Sequence, residues 1–405
     1  MTYYGWRIAW AFALTQTVGY GVLTYAFGVF VKPMEAELGW GRAETSLGFS
    51  IALLVSGLLA FPAGRVVDRH GARWLMTGGS ALGALMVWAW SLVHSLPAFY
   101  LVFVGIGIAS SAVLYSVAFT VLAVWFRLSR PRAMLIVTLA AGLASTIFIP
   151  LASWLEQALG WRGAAQVLAL VLAVTTIPLH ALVIRRRPQD LGLYPDGADS
   201  PPPPAQQVSA GAAVRGATFW WLALGFSLSS LVSMAVAAHL VPLLVERGHP
   251  AALVATIAGS VGVMQLLGRI IYTPLSQRLS LFGVSAVFMG FFAVGLGLLL
   301  MEQGWALWGF ALFYGMANGS GSLSKAALVA EVYGSRHYGS VSGGLGTITT
   351  VTATFAPLGA GFLHDLRGDY TAVLWVLIGA ALLAALAVWQ ASRSGREAAL
   401  TGSAA

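Results

Sequence analysis

Twelve apolar runs, each ending at a charge or a turn residue, divide this chain from end to end. They cover roughly 6–31, 43–66, 74–93, 98–126, 132–155 and 163–184, then 218–245, 250–275, 282–301, 305–331, 338–363 and 371–391. About 20 mostly apolar residues suffice to carry a helix across a hydrocarbon core. Within such a core every backbone N–H and C=O must be satisfied by the segment itself, which helices achieve. Composition agrees. The 405 residues are 58% hydrophobic and 9% charged, against about 45–50% and about 25% in soluble domains. The sequence therefore predicts an all-α polytopic membrane protein.

Charge placement fixes the expected orientation. Of the 22 Lys and Arg, fifteen fall on the side of the N-terminus and five on the other. Positive residues favour the cytoplasmic face, so both termini are expected inside, in a bacterial cytoplasmic membrane. The +8 net charge sits at helix ends, so it argues for topology and against nucleic-acid binding. The start of the chain runs directly into the first long span rather than a short cleavable one. There is no cysteine, which excludes thiol catalysis, disulfides and cysteine metal sites. No cofactor, metal or enzymatic nucleophile–base pair is expected, and a monomer is.

One long connection interrupts the series. It contains PPPPAQQ at 201–207, a polar, proline-stiffened linker. The expected organisation is an N-terminal six-helix bundle at 1–184, a cytoplasmic linker at 185–217, and a C-terminal six-helix bundle at 218–405. An internal repeat supports two related halves. Pro33, Glu37, Gly39 and Arg69 recur as Pro242, Glu246, Gly248 and Arg278 at one unbroken offset of 209.

Between the second and third runs lies GRVVDRHGAR, residues 64–73. This resembles the G-x-x-x-D-R-x-G-x-R signature of the major facilitator superfamily, in the loop where that family carries it. The resemblance covers essentially the whole chain and implies a transporter working by alternating access. It also implies a gating role for Gly64, Asp68, Arg69, Gly71 and Arg73. Physically, the two glycines permit close approach and a tight turn. Asp68 can accept hydrogen bonds from a neighbouring helix N-terminus. A merely topogenic basic loop would explain the arginines but not the aspartate.

YYGWR, LGWGRAETSLGFS and RRRPQDLGLYPDG further resemble the bacterial branch of the monocarboxylate transporter family, which includes oxalate–formate exchangers. Transporters of that family pair an arginine of span eight with the substrate carboxylate, and Arg269 occupies the matching place. Animal members carry an aspartate four residues earlier and a lysine in span one. Here those positions hold Gln265 and Val29, so that proton relay is missing. The span-eleven lysine of the oxalate exchangers is also absent.

Arg269 interrupts the run VGVMQLLGRIIYTP. It lies eight residues from Gln277 at the inner boundary, about 12 Å deep at 1.5 Å per residue. A charge there costs roughly 2.5–3.5 kcal/mol on insertion scales, so it faces the bundle interior or a wet cavity. Its planar fork suits a carboxylate. No Asp or Glu lies in the middle of any predicted span. Gln265, Arg269 and Tyr272 share a helical stripe, as do Tyr314, Asn318, Ser322 and Lys325 in span ten. Tyr314, Asn318 and Gln265 are therefore candidates for the same anion site, with interhelical hydrogen bonding as the alternative. Tyr115 of span four joins them because family members place a tyrosine near the carboxylate. Lys325 is either a second anchor or a side chain that snorkels to the inner surface. His239 is a candidate proton site or a buried structural histidine.

The functional expectation is a transporter of small organic monocarboxylates such as lactate or pyruvate, with a co-transported proton. A dicarboxylate exchanger using Arg269 and Lys325 together is the second reading, and a non-transporting sensor on the same scaffold the third.

Overall fold

The computed structural model describes residues 3–200, 210–301 and 303–402, and the expected proline stretch at 201–204 lies outside them. Among the described residues the regular structure is helical, with no strand. Eight stretches meet the length and hydropathy of a membrane span unaided. One of them, Arg130–Leu182, is two spans, because Gly160 at φ 69° and ψ 166° leaves the helical path midway. Three more helices complete the set: Arg73–Trp90, Gly304–Tyr333, and Tyr338–Thr354 continued by Ala356–Arg367. The second of these carries Asn318, Lys325 and several serines, and the third is rich in Gly, Ser and Thr. Twelve spans result, numbered here in chain order.

Several spans are interrupted. Span one (Tyr4–Leu38) contains a π-helical turn at Gly21–Tyr25, a feature frequent at functional sites. Span four breaks between Leu96–Val113 and Tyr115–Trp125, where Leu114 adopts extended geometry at φ −83° and ψ −171°. The Gln16 side chain of span one, fully buried, donates to the freed Val113 carbonyl at 2.6 Å. That bond satisfies a carbonyl the hydrocarbon core would leave stranded.

The chain packs as two compact units. The first is Met1–Gln207 with Gly334–Thr347, and the second is Val208–Tyr333 with Ile348–Ala405. The segment Gly334–Thr347, which division by chain order assigns to the C-terminal half, thus packs with the first unit. Its contacts with span two (Arg42–His70) supply the reason. The Asp68 carboxylate accepts from Gly339 N at 2.9 Å, Ser340 N at 2.7 Å and Ser340 Oγ at 2.6 Å. It caps orphan N–H groups at the start of span eleven. Thr347 Oγ1 donates to Gly57 O at 2.7 Å.

Elsewhere in the first unit, Arg162 ties neighbouring spans together. It binds Glu37 at 2.8 Å and the carbonyls of Ser91 and Val93 at 2.6 and 2.9 Å. Asp196, from the RRRPQDLGLYPDG run, accepts from the backbone N–H groups of Arg127, Leu128 and Ser129 at 2.8, 2.8 and 3.0 Å. It caps the entry to span five, which begins at Arg130. The second unit has its own core, in which Phe292 and Phe310 pack on Tyr314.

A Cβ on Gly64 would lie 1.9 Å from Gly339 O. Gly64→Ala should therefore destabilise the protein by about 1–3 kcal/mol, the usual range for overpacking. Gly78, in span three with nothing within 4 Å of its added Cβ, provides the control. Thermal unfolding in detergent should show Gly64→Ala lowered and Gly78→Ala unchanged or raised, since Ala favours helix over Gly.

Candidate functional site

Arg269 lies in span eight (Ala251–Arg278) and is only 9% exposed. Its Nε donates to Gly319 O of span ten at 3.2 Å. The two helices can approach this closely because both present glycine. A Cβ on Gly319 would fall 2.0 Å from Gln265 O, and one on Gly268 would fall 2.3 Å from Met316 O. Gly319 thus admits the backbone of span eight and lends its carbonyl to the guanidinium one turn further along. Gln265 is partly exposed at this contact.

Asn318, the residue before Gly319, is also partly exposed. Its Oδ1 accepts from Ser233 Oγ of span seven (Ala217–Glu246) at 2.6 Å. Ser233 holds span ten a second time, since its carbonyl accepts from Tyr314 OH at 3.1 Å. Arg269, Gln265, Asn318, Tyr314 and Ser233 are thereby brought together in the second unit.

The helical stripes do not hold as single faces. Tyr272, one turn from Arg269, turns to span nine (Leu281–Leu299), where its hydroxyl meets Ser285 Oγ at 2.9 Å. The Tyr314 ring is packed between Phe310 and Phe292, and its hydroxyl is committed to Ser233. Lys325 is partly exposed and, among the described residues, makes no hydrogen bond or ion pair.

His239 Nε2 lies 2.9 Å from Pro357 O and Nδ1 3.0 Å from Tyr370 OH. A carbonyl only accepts, so Nε2 carries the proton and Nδ1 takes the Tyr370 hydroxyl when the ring is neutral. Tyr115 belongs to the first unit. It opens the second half of span four, stacks on Phe119 and leans on Tyr20, with ring centroids 5.0 and 4.7 Å away. Of the loop residues, Gly71 ends span two at φ 83°, the Arg69 carbonyl accepts from Arg186, and Arg73 Nε donates to Ala181 O at 2.6 Å.

Sequence reasoning missed Ser233 and Gln16. Gln16 could have been found by the criterion that found Gln265, an amide inside an apolar run. Ser233 is one of four serines in GFSLSSLVS, and nothing in that run marks it apart.

A sequence model described as the Major Facilitator Superfamily matches residues 13–322. The chain belongs to that superfamily. Monocarboxylate transporter 13 of Bos taurus is 27% identical over 403 residues, covering 94% of this chain and 87% of the relative. Monocarboxylate transporter 11 of Homo sapiens is 26% identical over 388 residues, covering 91% and 79%. Among solved structures, the human organic anion transporter MFSD10 (TETRAN) shares the fold with a TM-score of 0.73 at 16% identity, covering 95% of this chain and 99% of that one. The protein is accordingly a multi-pass membrane transporter of small molecules and not an enzyme.

A titrating contact closes the second unit beyond the predicted end of span eleven at residue 363. His364 Nε2 lies 3.0 Å from Glu246 Oε2 and Nδ1 3.3 Å from Asp365 Oδ1. Both partners are carboxylates, so the imidazolium alone satisfies both, and its pKa is raised by hydrogen bonding to Asp365 and then to Glu246. A raised histidine pKa gives stability that is complete below the unfolded value of about 6.5 and is lost as pH climbs through the folded value. The melting-temperature difference between wild type and His364→Gln should therefore be largest at mildly acidic pH and shrink as pH rises to alkaline values.

Proposed function

We propose that this transporter carries small organic monocarboxylates of the lactate or pyruvate kind, with Arg269 as the carboxylate anchor. The observation that carries the reading is the position of Arg269: buried, deep in span eight, and steadied through Nε by a span-ten carbonyl. A guanidinium held in this way can grip a carboxylate by parallel N–H···O bonds. Asn318 and Gln265 border it, and Tyr314 supports Asn318 from the adjacent turn. The names of the two animal relatives support the same substrate class.

Charge balance favours proton symport. An anion entering alone against a negative interior is opposed by about 2.3 kcal/mol per 100 mV, and a co-transported proton removes that penalty. The proton travels with the substrate–Arg269 pair or resides on His239. His239 can accept it without losing either contact, because a protonated Nδ1 donates to the Tyr370 hydroxyl instead of accepting from it. In alternating access, the Asp68 cap on span eleven is the element that the gating loop makes and breaks. The setting we propose is a bacterial cytoplasmic membrane, with a monomer whose two termini are cytoplasmic.

Uptake into proteoliposomes tests the anchor. Arg269→Gln should lower carboxylate uptake by a hundredfold or more while leaving the protein folded, and normal uptake by that variant would contradict the mechanism. The dicarboxylate reading draws on Lys325, which lies seven residues, about two turns, from Asn318 along span ten. Under that reading Lys325→Gln abolishes oxalate exchange and spares monoanion uptake. Under the monocarboxylate reading wild-type protein exchanges no oxalate.

A further inference from the structure

We infer that His364 is a pH-operated clasp between span seven and the end segment of span eleven, Ala356–Arg367, so that the pH at that face regulates the carrier. On the proposed orientation that face is the external one. The clasp is independent of what is carried, and only the transport arm of its test draws on the proposed carriage of carboxylates.

Two histidines tie these helices together. His239 of span seven reaches Pro357 O at 2.9 Å, and His364 reaches Glu246 Oε2 of span seven at 3.0 Å. Both pairs are 118 residues apart in the chain. Each helix therefore supplies two positions about two turns apart, roughly 10 Å along its axis. Tyr370, at the entry to span twelve, stands between the two rungs. Its ring centroid is 5.6 Å from that of His239 and 4.3 Å from that of His364.

The rungs differ in what they require of the ring. A neutral imidazole has one donor and one acceptor nitrogen. His239 faces a carbonyl and a hydroxyl, and the hydroxyl can donate, so the neutral ring satisfies both. His364 faces Glu246 and Asp365, which as carboxylates only accept. The imidazolium alone serves both. A neutral ring turns a lone pair toward one carboxylate and keeps the other without charge assistance, at about half the strength. The Asp365 side chain is 82% exposed and can turn to water, which leaves the bond across to Glu246 weakened. Among the described residues, the groups facing His364 are Glu246 from span seven, Asp365 from its own helix and Tyr370 from span twelve. Arg247 is turned to Leu299 O, Asp369 accepts from Thr371 N, and Arg367 is exposed.

Its place in span eleven gives the clasp a consequence. The helix breaks at Phe355, just before Pro357. The part up to Thr347, which Asp68 caps, packs in the first unit, and the part from Ile348 packs in the second. A firm clasp makes the end segment move as one piece with span seven, and a loose one lets it yield at the break. Acid at this face therefore speeds the carrier, and alkali slows it.

The chain has no cysteine, so Val245→Cys with Leu366→Cys, both exposed and next to the outer rung, accepts a single pair of spin labels. In proteoliposomes of the full chain, this pair should give a narrow distance distribution at about pH 5.5 and a broader one at about pH 8.5, on either side of the histidine range. Adding His364→Gln should leave it broad at both values. Adding His364→Lys, which keeps a cation, should leave it narrow at both. Glu246→Gln removes one acceptor and should move the midpoint of the change down by about half a pH unit or more, which tests the clasp even if the His364 variants do not fold. In lactate exchange at equal pH on both sides, the rate of His364→Lys relative to wild type should rise about threefold or more between the two values. A distribution that does not change with pH, or a rate ratio that stays flat, overturns the inference. A wild type that exchanges no lactate at either pH counts against the carboxylate reading instead, and the spin labels then decide the clasp.

Discussion

A polar group inside a bilayer has to find its partner within the protein, because the surrounding hydrocarbon offers none. That requirement shapes the second unit around one contact, Arg269 Nε to the carbonyl of Gly319. The bond needs spans eight and ten to touch along their backbones, and Gly268 and Gly319 make room for it. Once the helices are this close, the residue before Gly319 is fixed as well, and Ser233 of span seven can reach its amide. Three helices are therefore registered on one another by a cation, two glycines and a serine. An interior assembled in this way is costly to build from polar parts, and sites with that cost in membranes are usually functional.

The first unit meets the same requirement differently. Span four surrenders a backbone hydrogen bond at Leu114, and a buried glutamine from span one replaces it at Val113. At the other extreme, Asp68 from the last turn of span two and Asp196 from a loop satisfy helix entries: one carboxylate serves span eleven and the other serves the turn before span five. Both carboxylates accept from consecutive backbone N–H groups. In the first unit the break in span four is matched by a named side chain, Gln16, so that interruption is a specified feature of the fold.

Much of this architecture is legible in the sequence. The spans follow from apolar length, and the superfamily follows from GRVVDRHGAR. The depth of Arg269 follows from its distance to the charged boundary. The partners of the polar side chains do not follow, for a physical reason. Helical periodicity gives a direction around an axis, but a tyrosine is long enough to reach a neighbour on either flank. Tyr272 and Arg269 occupy adjacent turns and yet reach different spans, nine and ten. Nor does linear order reveal that Gly334–Thr347 packs with the first unit. That depends on Asp68, 271 residues before Gly339 along the chain. The break in span four carries no proline to announce it, and it is legible only once Gln16 and Val113 are seen in contact.

The account rests on a guanidinium that meets a carboxylate, and magnetic resonance can look at that meeting directly. Protein labelled with 15N at arginine, reconstituted in lipid and saturated with lactate 13C-labelled at its carboxylate, should show dipolar coupling between the carboxylate carbon and a side-chain nitrogen. The coupling should be of the strength expected for direct hydrogen bonding, and replacing Arg269 by lysine should remove it. Saturable lactate binding with no such coupling, or with a coupling that survives the replacement, would contradict the account.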